Sequence, residues 1–553
     1  VNTSAVTKTP SGTTIGKYLI DQLERHGVRH VFGIPGDYSL LFLKEMSESA
    51  VTFVGTSDEQ GAGAAADAYA RLNGLGAVCI TYAVGSLKVA NATAQAFAER
   101  SPVIVICGAP GLEERIRHPL LHHRVNQFDT QQRIFKRLTV AWTVLDEAET
   151  AFSEIDRVIH AAERHKRPVY IELPRDMVHV EGAPGHRHVD VPEVSDPAVL
   201  SEALTEAADM INSAKHPVIV AGEEIQRFGL SEKLVELVKK TGIPVAATLL
   251  GKSCVSEDEP SFLGVYAGVL GSEETRCAVE SGDCFVLLGM MMTDLNLGAF
   301  TANLDRAKTI LANVDGVFIR HHSFDVRFPH LLDGLLSAPI RPRHDELVRR
   351  SSRPGPFLPR PGMPITVQRL VERLDTFVTD EMVVLADVGD SLFGSVGLHV
   401  RREGHYLSSA YYASMGFGVP GSVGVQMLDR RLRPLVLVGD GAFQMTGMEL
   451  STAARLGLSP IVIVLNNGGY ATERFFMDGT FNDIHPWNHA AIPSVLGAGK
   501  GFIVRNEEEL DGVLQEAYRN TGSFSIVDVR LKPDDVSDGL RRLGASLRKT
   551  VRG

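Results

Sequence analysis

What is scarce in this chain narrows its class first. Five cysteines among 553 residues, an odd number with no C-x-x-C pair, form no disulfide framework. Cys79, Cys107 and Cys284 sit inside apolar runs and read as buried core thiols, so a reducing cytoplasm is the natural compartment. No apolar run reaches the roughly 18 residues of a membrane-spanning helix, and no membrane partner is expected. The leading stretch VNTSAVTKTPSGTT lacks a signal-peptide apolar region and is expected to be a short disordered lead. Positive charge is also short: the formal net charge is −11, which argues against nucleic acid as a partner.

What is present is an ordinary globular composition, 44% hydrophobic and 22% charged, at a length that suggests about three or four domains. Helical and strand-like patterns alternate through residues 15–173, including a small-residue helix at 57–71 and apolar strands at 77–82, 103–107 and 167–173. A Pro/Gly-rich stretch at 181–196 reads as a linker, as does a Pro/Arg-rich one at 341–362. The expected fold is α/β, with three doubly wound parallel-sheet domains over 1–180, 197–340 and 363–553. The first and third are alike enough in size and pattern to suggest an old duplication.

The third block holds the most telling stretch. An apolar run at 435–438 breaks at Gly439-Asp440-Gly441, a helical pattern follows, and a second apolar run at 461–465 ends in Asn466-Asn467-Gly468-Gly469-Tyr470. Two buried strands flanking a helix make a βαβ unit. Both polar motifs then fall at the carboxyl ends of parallel strands, where open α/β sheets take ligands. Asp440 and Asn467 offer hard oxygens, and the glycines let backbone groups approach, a combination that suits Mg²⁺. No Lys-Ser/Thr follows the glycines, as a Walker loop requires, and no G-x-G-x-x-G opens the helix. Gly-Asp-Gly by itself is a common turn; the asparagine pair at this distance is what gives it weight.

That pairing resembles the thiamine-diphosphate signature. The resemblance implies that Asp440, Asn467 and the Gly469 carbonyl hold Mg²⁺, which grips the diphosphate. Gly389, Asp390, Ser391, Gly439, Gly441, Ala442, Tyr470 and Ala471 would complete the cofactor site on that side. The family often has threonine where Asp390 stands. An anion beside a diphosphate is awkward, so the Asp390 side chain is expected to point away. The segment SDEQGAGAAADAYAR resembles the one in which a glutamate, here Glu59, bonds N1′ of the aminopyrimidine; Glu59 is expected to be partly buried. Without the resemblance, an acidic residue at a helix start is ordinarily a capping choice. In AYYASMGFGVP, Met415 matches the large apolar residue that bends the cofactor, and the Ala413 carbonyl would accept from its 4′-amino group. A methionine elsewhere would simply fill core space.

Three further stretches narrow the resemblance to the pyruvate and indolepyruvate decarboxylases: GIPGDYSLLFL with Asp37, LLHHRVNQFD with His122 and His123, and NNGGYATE with Glu473. Neighbouring histidines cannot share a helix face, so the pair is expected on a loop. His321-His322 is a similar pair that reads as structural. The resemblance makes Asp37, His122, His123, Glu473 and Glu59 the catalytic set, the first four as an acid/base cluster drawn from two domains. It implies non-oxidative decarboxylation of a small-molecule 2-oxo acid through an ylid and an enamine, with an aldehyde released. An aromatic substrate is favoured, indolepyruvate or phenylpyruvate, with Met290, Met291, Met292, Leu392, Phe393, Leu540, Leu543 and Leu547 as candidate pocket residues. The alternatives are a carboligase using a second carbonyl or acyl acceptor, an acetolactate-synthase-like enzyme with structural FAD, and a non-catalytic homologue. Because the family holds its cofactor between chains, a homodimer or homotetramer with the site at the subunit interface is expected.

Overall fold

The computed structural model describes residues 7–188, 193–343 and 355–551. Strands at Val103–Ala109 and Ile461–Asn466 are buried along their whole length, which is why they read as unbroken apolar runs rather than alternating ones. Each lies inside a six-stranded parallel sheet. The first sheet runs, edge to edge, Thr52–Gly55, His30–Gly33, Gly76–Ile80, Val103–Ala109, Val169–Pro174, Ala141–Val144. The last runs Tyr406–Ser408, Met382–Ala386, Arg433–Gly439, Ile461–Asn466, Ser525–Arg530, Lys500–Val504. Counted along the chain, both follow the order second, first, third, fourth, sixth, fifth, the relation a duplication leaves.

The middle sheet is seven-stranded. Phe262–Tyr266, Val245–Thr248, Pro217–Ala221, Cys284–Leu288 and Thr309–Asn313 are parallel, but Gly316–Ile319 and His322–Phe324 join antiparallel. The expectation of a purely parallel sheet therefore needs amending here. The connection at Val314-Asp315 is too short for a crossover, and the Asp315 N–H donates to Asn313 Oδ1 at 2.9 Å to close a tight turn. The chain is thus α/β, with three mostly parallel sheets flanked by helices.

The chain forms two compact units, one of Val1–Glu193 with Val419–Arg431 and Thr446–Leu456, the other of the remainder. In the first, the small-residue helix Glu59–Asn73 packs on Val84–Ala98 so closely that a Cβ on Gly63 would come within 2.5 Å of the Ala92 Cβ. The helical pattern after Gly439 is interrupted: Asp440–Thr446 passes through a 3₁₀ turn at Gly447–Glu449 before Leu450–Arg455. Among the described residues, no helix is long and apolar enough to cross a membrane.

Candidate active site

The second unit carries a cleft of about 710 Å³ at the carboxyl ends of the last sheet's strands. All thirteen residues outside Glu59 that the resemblance assigns to the cofactor line it: Gly389, Asp390, Ser391, Ala413, Met415, Gly439, Asp440, Gly441, Ala442, Asn467, Gly469, Tyr470 and Ala471. Asp440 is buried, and burial pushes its carboxyl up. It accepts from the Gly441 N–H at 2.8 Å and the Gly468 N–H at 2.7 Å. Asn467 is buried too, and its Oδ1 has no hydrogen-bond partner. The Gly469 carbonyl accepts from the Ala471 N–H at 3.0 Å and keeps a second lone pair. A carboxylate, an unsatisfied amide oxygen and a carbonyl at two neighbouring strand ends fit a hard divalent cation, and a buried oxygen left unpaired is costly unless something binds it. Ser391 Oγ, in the short helix Asp390–Ser395 that follows the neighbouring strand Met382–Ala386, is likewise buried and unpartnered.

Close backbone approach explains the glycines. A Cβ on Gly441 would lie 2.5 Å from the Tyr470 ring, and one on Gly469, at φ +155, would lie 2.2 Å from the Asn482 carbonyl oxygen. Asp390 lines the cleft, yet its carboxylate accepts from the Ser537 N–H at 2.9 Å and from the Ser537 hydroxyl, ahead of helix Asp538–Val551. The side chain is tied to the C-terminal segment, as its awkward charge led one to expect, and burial raises its pKa to about 6.

Ala413 holds a left-handed φ of 56°, costly for a residue with a Cβ. The loop that imposes it is pinned by Asp387, a buried carboxylate that accepts from the N–H groups of Gly416 at 3.0 Å and Gly418 at 2.9 Å. Asp387 escaped the sequence reading, although DVGDS placed it at a strand end. Met415 is half-buried on the cleft wall, and Glu473 sits exposed at the first turn of Ala471–Phe476.

The apolar pocket assignment fares less well. Leu392 and Phe393 line the cleft, but Met290 and Met291 are buried in the middle domain, and Leu540 and Leu543 in the core of the last. What the middle-domain loop presents to the cleft is Asp294 and Leu295. The Leu547 side chain lies outside the described residues.

In the first unit, Glu59 opens its helix and is 8% exposed. Its carboxylate meets the Lys88 ammonium at 2.6 Å, a neighbour the motif did not announce; Lys88 also pairs with Asp58. Asp37, His122 and His123 come together in this unit. His122 Nε2 lies 2.8 Å from Asp37 Oδ2, and His123 Nε2 4.0 Å from Oδ1. The histidines sit on a turn, with His123 at φ 67°, as adjacent histidines acting together must. Arg175 joins the cluster unforeseen, with Nη1 3.7 Å from Asp37 Oδ2. His322, by contrast, pairs with Glu206 at 2.8 Å on an edge strand, in keeping with a structural role.

The middle sheet reverses strand order between Pro217–Ala221 and Cys284–Leu288, where such sheets take nucleotides. There the two strand ends run close together: the Gly222 N–H donates to the Leu288 carbonyl at 2.8 Å, and a Cβ on Gly222 would lie 2.3 Å from the Gly289 carbonyl oxygen. Glu223 fills the space behind, accepting from the Met291 N–H at 2.9 Å.

Comparison with known proteins agrees with this geometry. Residues 13–132 match the family description "Thiamine pyrophosphate enzyme, N-terminal TPP binding domain", 204–329 its central domain and 387–529 its C-terminal TPP binding domain. The chain is similar to an indole-3-pyruvate decarboxylase of Azospirillum brasilense, at 36% identity over 96% of this chain and 97% of the relative. It is also similar to alpha-keto-acid decarboxylases of Mycobacterium leprae, at 34% identity over 91% and 90%, and of Mycobacterium tuberculosis, at 33% over 97% of each.

Proposed function

Because this chain belongs to the thiamine pyrophosphate enzymes, within their 2-oxo acid decarboxylase group, we propose that it converts an aromatic 2-oxo acid, indolepyruvate or phenylpyruvate, to CO₂ and the aldehyde one carbon shorter. The observation that carries this reading is the Asp37–His122–His123 cluster, an acid/base group that a mere coenzyme-binding protein has no use for. Bound thiamine diphosphate supplies the electron sink that makes loss of CO₂ feasible.

The chain's own residues do the rest. Asp440, Asn467 and the Gly469 carbonyl would hold Mg²⁺ and with it the coenzyme's diphosphate, and Gly389, Ser391 and Ala442 line the same cleft. Glu59 would bond the aminopyrimidine and favour its reactive tautomer. Met415 and the Ala413 carbonyl, both on the cleft wall, would support the coenzyme between its two ends. The Asp37–histidine cluster and Glu473 deliver the proton that replaces the departing carboxylate, and Leu392, Phe393 and Leu295 wall the apolar side. The Asp37–His122–His123 cluster favours this reading over a flavin-dependent, acetolactate-synthase-like enzyme. We further propose a homodimer or homotetramer in which Glu59 and the metal-holding turn of one site come from different copies, working in a reducing cytoplasm that suits five unbridged cysteines.

The test is product identification from a panel of 2-oxo acids with Mg²⁺ and thiamine diphosphate, with and without an acceptor aldehyde or acyl thioester. Free arylacetaldehyde is the expected product. Acyloin in the acceptor arm would assign the chain to carboligation instead, and no CO₂ from any acid would overturn the reading.

A further inference from the structure

Resting on the decarboxylase reading above, we propose that Arg175, bracketed by Glu114, is a positioning residue that fixes the Asp37 carboxylate against the histidine pair. Arg175 follows strand Val169–Pro174 at its carboxyl end, in the same unit as Asp37. Two of its three guanidinium nitrogens are engaged by one carboxylate: Nε donates to Glu114 Oε2 at 2.9 Å and Nη2 to Oε1. The third, Nη1, lies 3.7 Å from Asp37 Oδ2, the same oxygen that His122 reaches. The guanidinium carbon stands 5.0 Å from the Tyr38 ring centroid, and that ring stacks on His122 with centroids 4.9 Å apart.

Glu114 is itself anchored, since its Oε2 also accepts from the Gly111 N–H at 2.7 Å. The Arg175 guanidinium holds its carboxyl below the usual range. The result is a continuous bracket from the Gly111 backbone through Glu114 and Arg175 to Asp37 and His122. An aspartate with one partner can turn about its χ2; here Oδ2 faces both His122 and Arg175 while Oδ1 lies 4.0 Å from His123, which keeps the lone pairs aimed.

A rival role for Arg175 is as receptor for the substrate's carboxylate. Two features oppose it. The fork that would take a carboxylate in two-pronged fashion is already filled by Glu114. A cation gripping the ground-state carboxylate would also resist its departure as CO₂.

The experiment compares Arg175→Ala, Glu114→Gln, the double variant and Arg175→Lys with the wild-type protein on its best 2-oxo acid. It reads kcat and KM separately, with melting temperature and thiamine diphosphate affinity by calorimetry. The expected result for Arg175→Ala is a kcat lower by about 10- to 100-fold, with KM, melting temperature and coenzyme affinity little changed. Glu114→Gln should move kcat the same way, and the double variant should be no worse than Arg175→Ala, because the two act in series. Arg175→Lys should not restore kcat, since one ammonium cannot clasp Glu114 and face Asp37 together. Wild-type kcat in Arg175→Ala overturns the proposal. A raised KM at constant kcat, or a lowered KM in Glu114→Gln, overturns it in favour of substrate anchoring. Matching losses of melting temperature and coenzyme affinity reduce Arg175 to a structural part and overturn it as well. If the wild-type protein itself releases no CO₂, the decarboxylase reading fails first, and that outcome is distinct from all of these.

Discussion

Asn467 Oδ1 is a buried oxygen with nothing to accept from, and a buried carboxylate, Asp440, stands at the end of the neighbouring strand. Protein interiors rarely tolerate such an atom unless a ligand satisfies it. Asn467→Ala should therefore weaken Mg²⁺ binding by about 10- to 100-fold or more, read by calorimetric titration in the presence of thiamine diphosphate; unchanged affinity would remove Asn467 from the metal. Glu59→Gln makes a complementary case. Coenzyme binding should persist while turnover drops by about 10²- to 10⁴-fold, and retained turnover would count against its assigned role. These residues could be picked out because their spacing along the chain encodes a strand end and its glycine turn. Asp387, Lys88 and Arg175 could not, since each acts on a residue far away in sequence and leaves no local pattern. Glu59 and Arg175 illustrate the difference: one heads a recognisable helix, the other merely follows a strand.

Two elements around the cleft make predictions of their own. The turn at Gly469 passes so near the Asn482 carbonyl that a methyl group must push backbone aside. Gly469→Ala should cost about 1–3 kcal/mol of stability and weaken metal binding together, as read by melting temperature and the same titration. The second prediction concerns helix Asp538–Val551, which begins beside the Asp390–Ser537 contact. Burial raises Asp390 from 3.8 to about 6, so the folded protein holds this proton more tightly than the unfolded chain does. The stabilisation is present in full below about pH 4 and is lost as pH rises through 6, a change on the order of 3 kcal/mol. Asp390→Asn should accordingly be more stable than the wild-type protein at pH 7.5, with the gap closing at low pH; thermal melts across pH 4–8 would check this, and a constant gap would refute it. Elements also divide by legibility. Thr52–Gly55, Ala141–Val144, Phe262–Tyr266, Tyr406–Ser408 and Lys500–Val504 were not singled out in sequence, and every one is a sheet edge. Their mixed burial erases the continuous apolar run that marks the inner strands.

For the molecule as a whole, the α/β class and the strand-ending motifs followed from alternation of pattern along the chain. The two antiparallel strands of the middle sheet did not, because a tight turn between short strands looks like any other loop. The proposed sharing of each coenzyme site between copies predicts that specific activity falls on dilution in step with dissociation, measured by sedimentation and assay at matched concentrations. A monomer fully active at nanomolar concentration would exclude it. One contact already described bears on how such a protein would be charged with coenzyme. Lys88 caps one oxygen of Glu59, and its own side chain is 53% exposed, free to swing into water. An arriving pyrimidine thus meets a carboxylate already paired with a cation at one oxygen, and raising ionic strength, by loosening the lysine's hold, should change the rate at which the stripped protein is reconstituted.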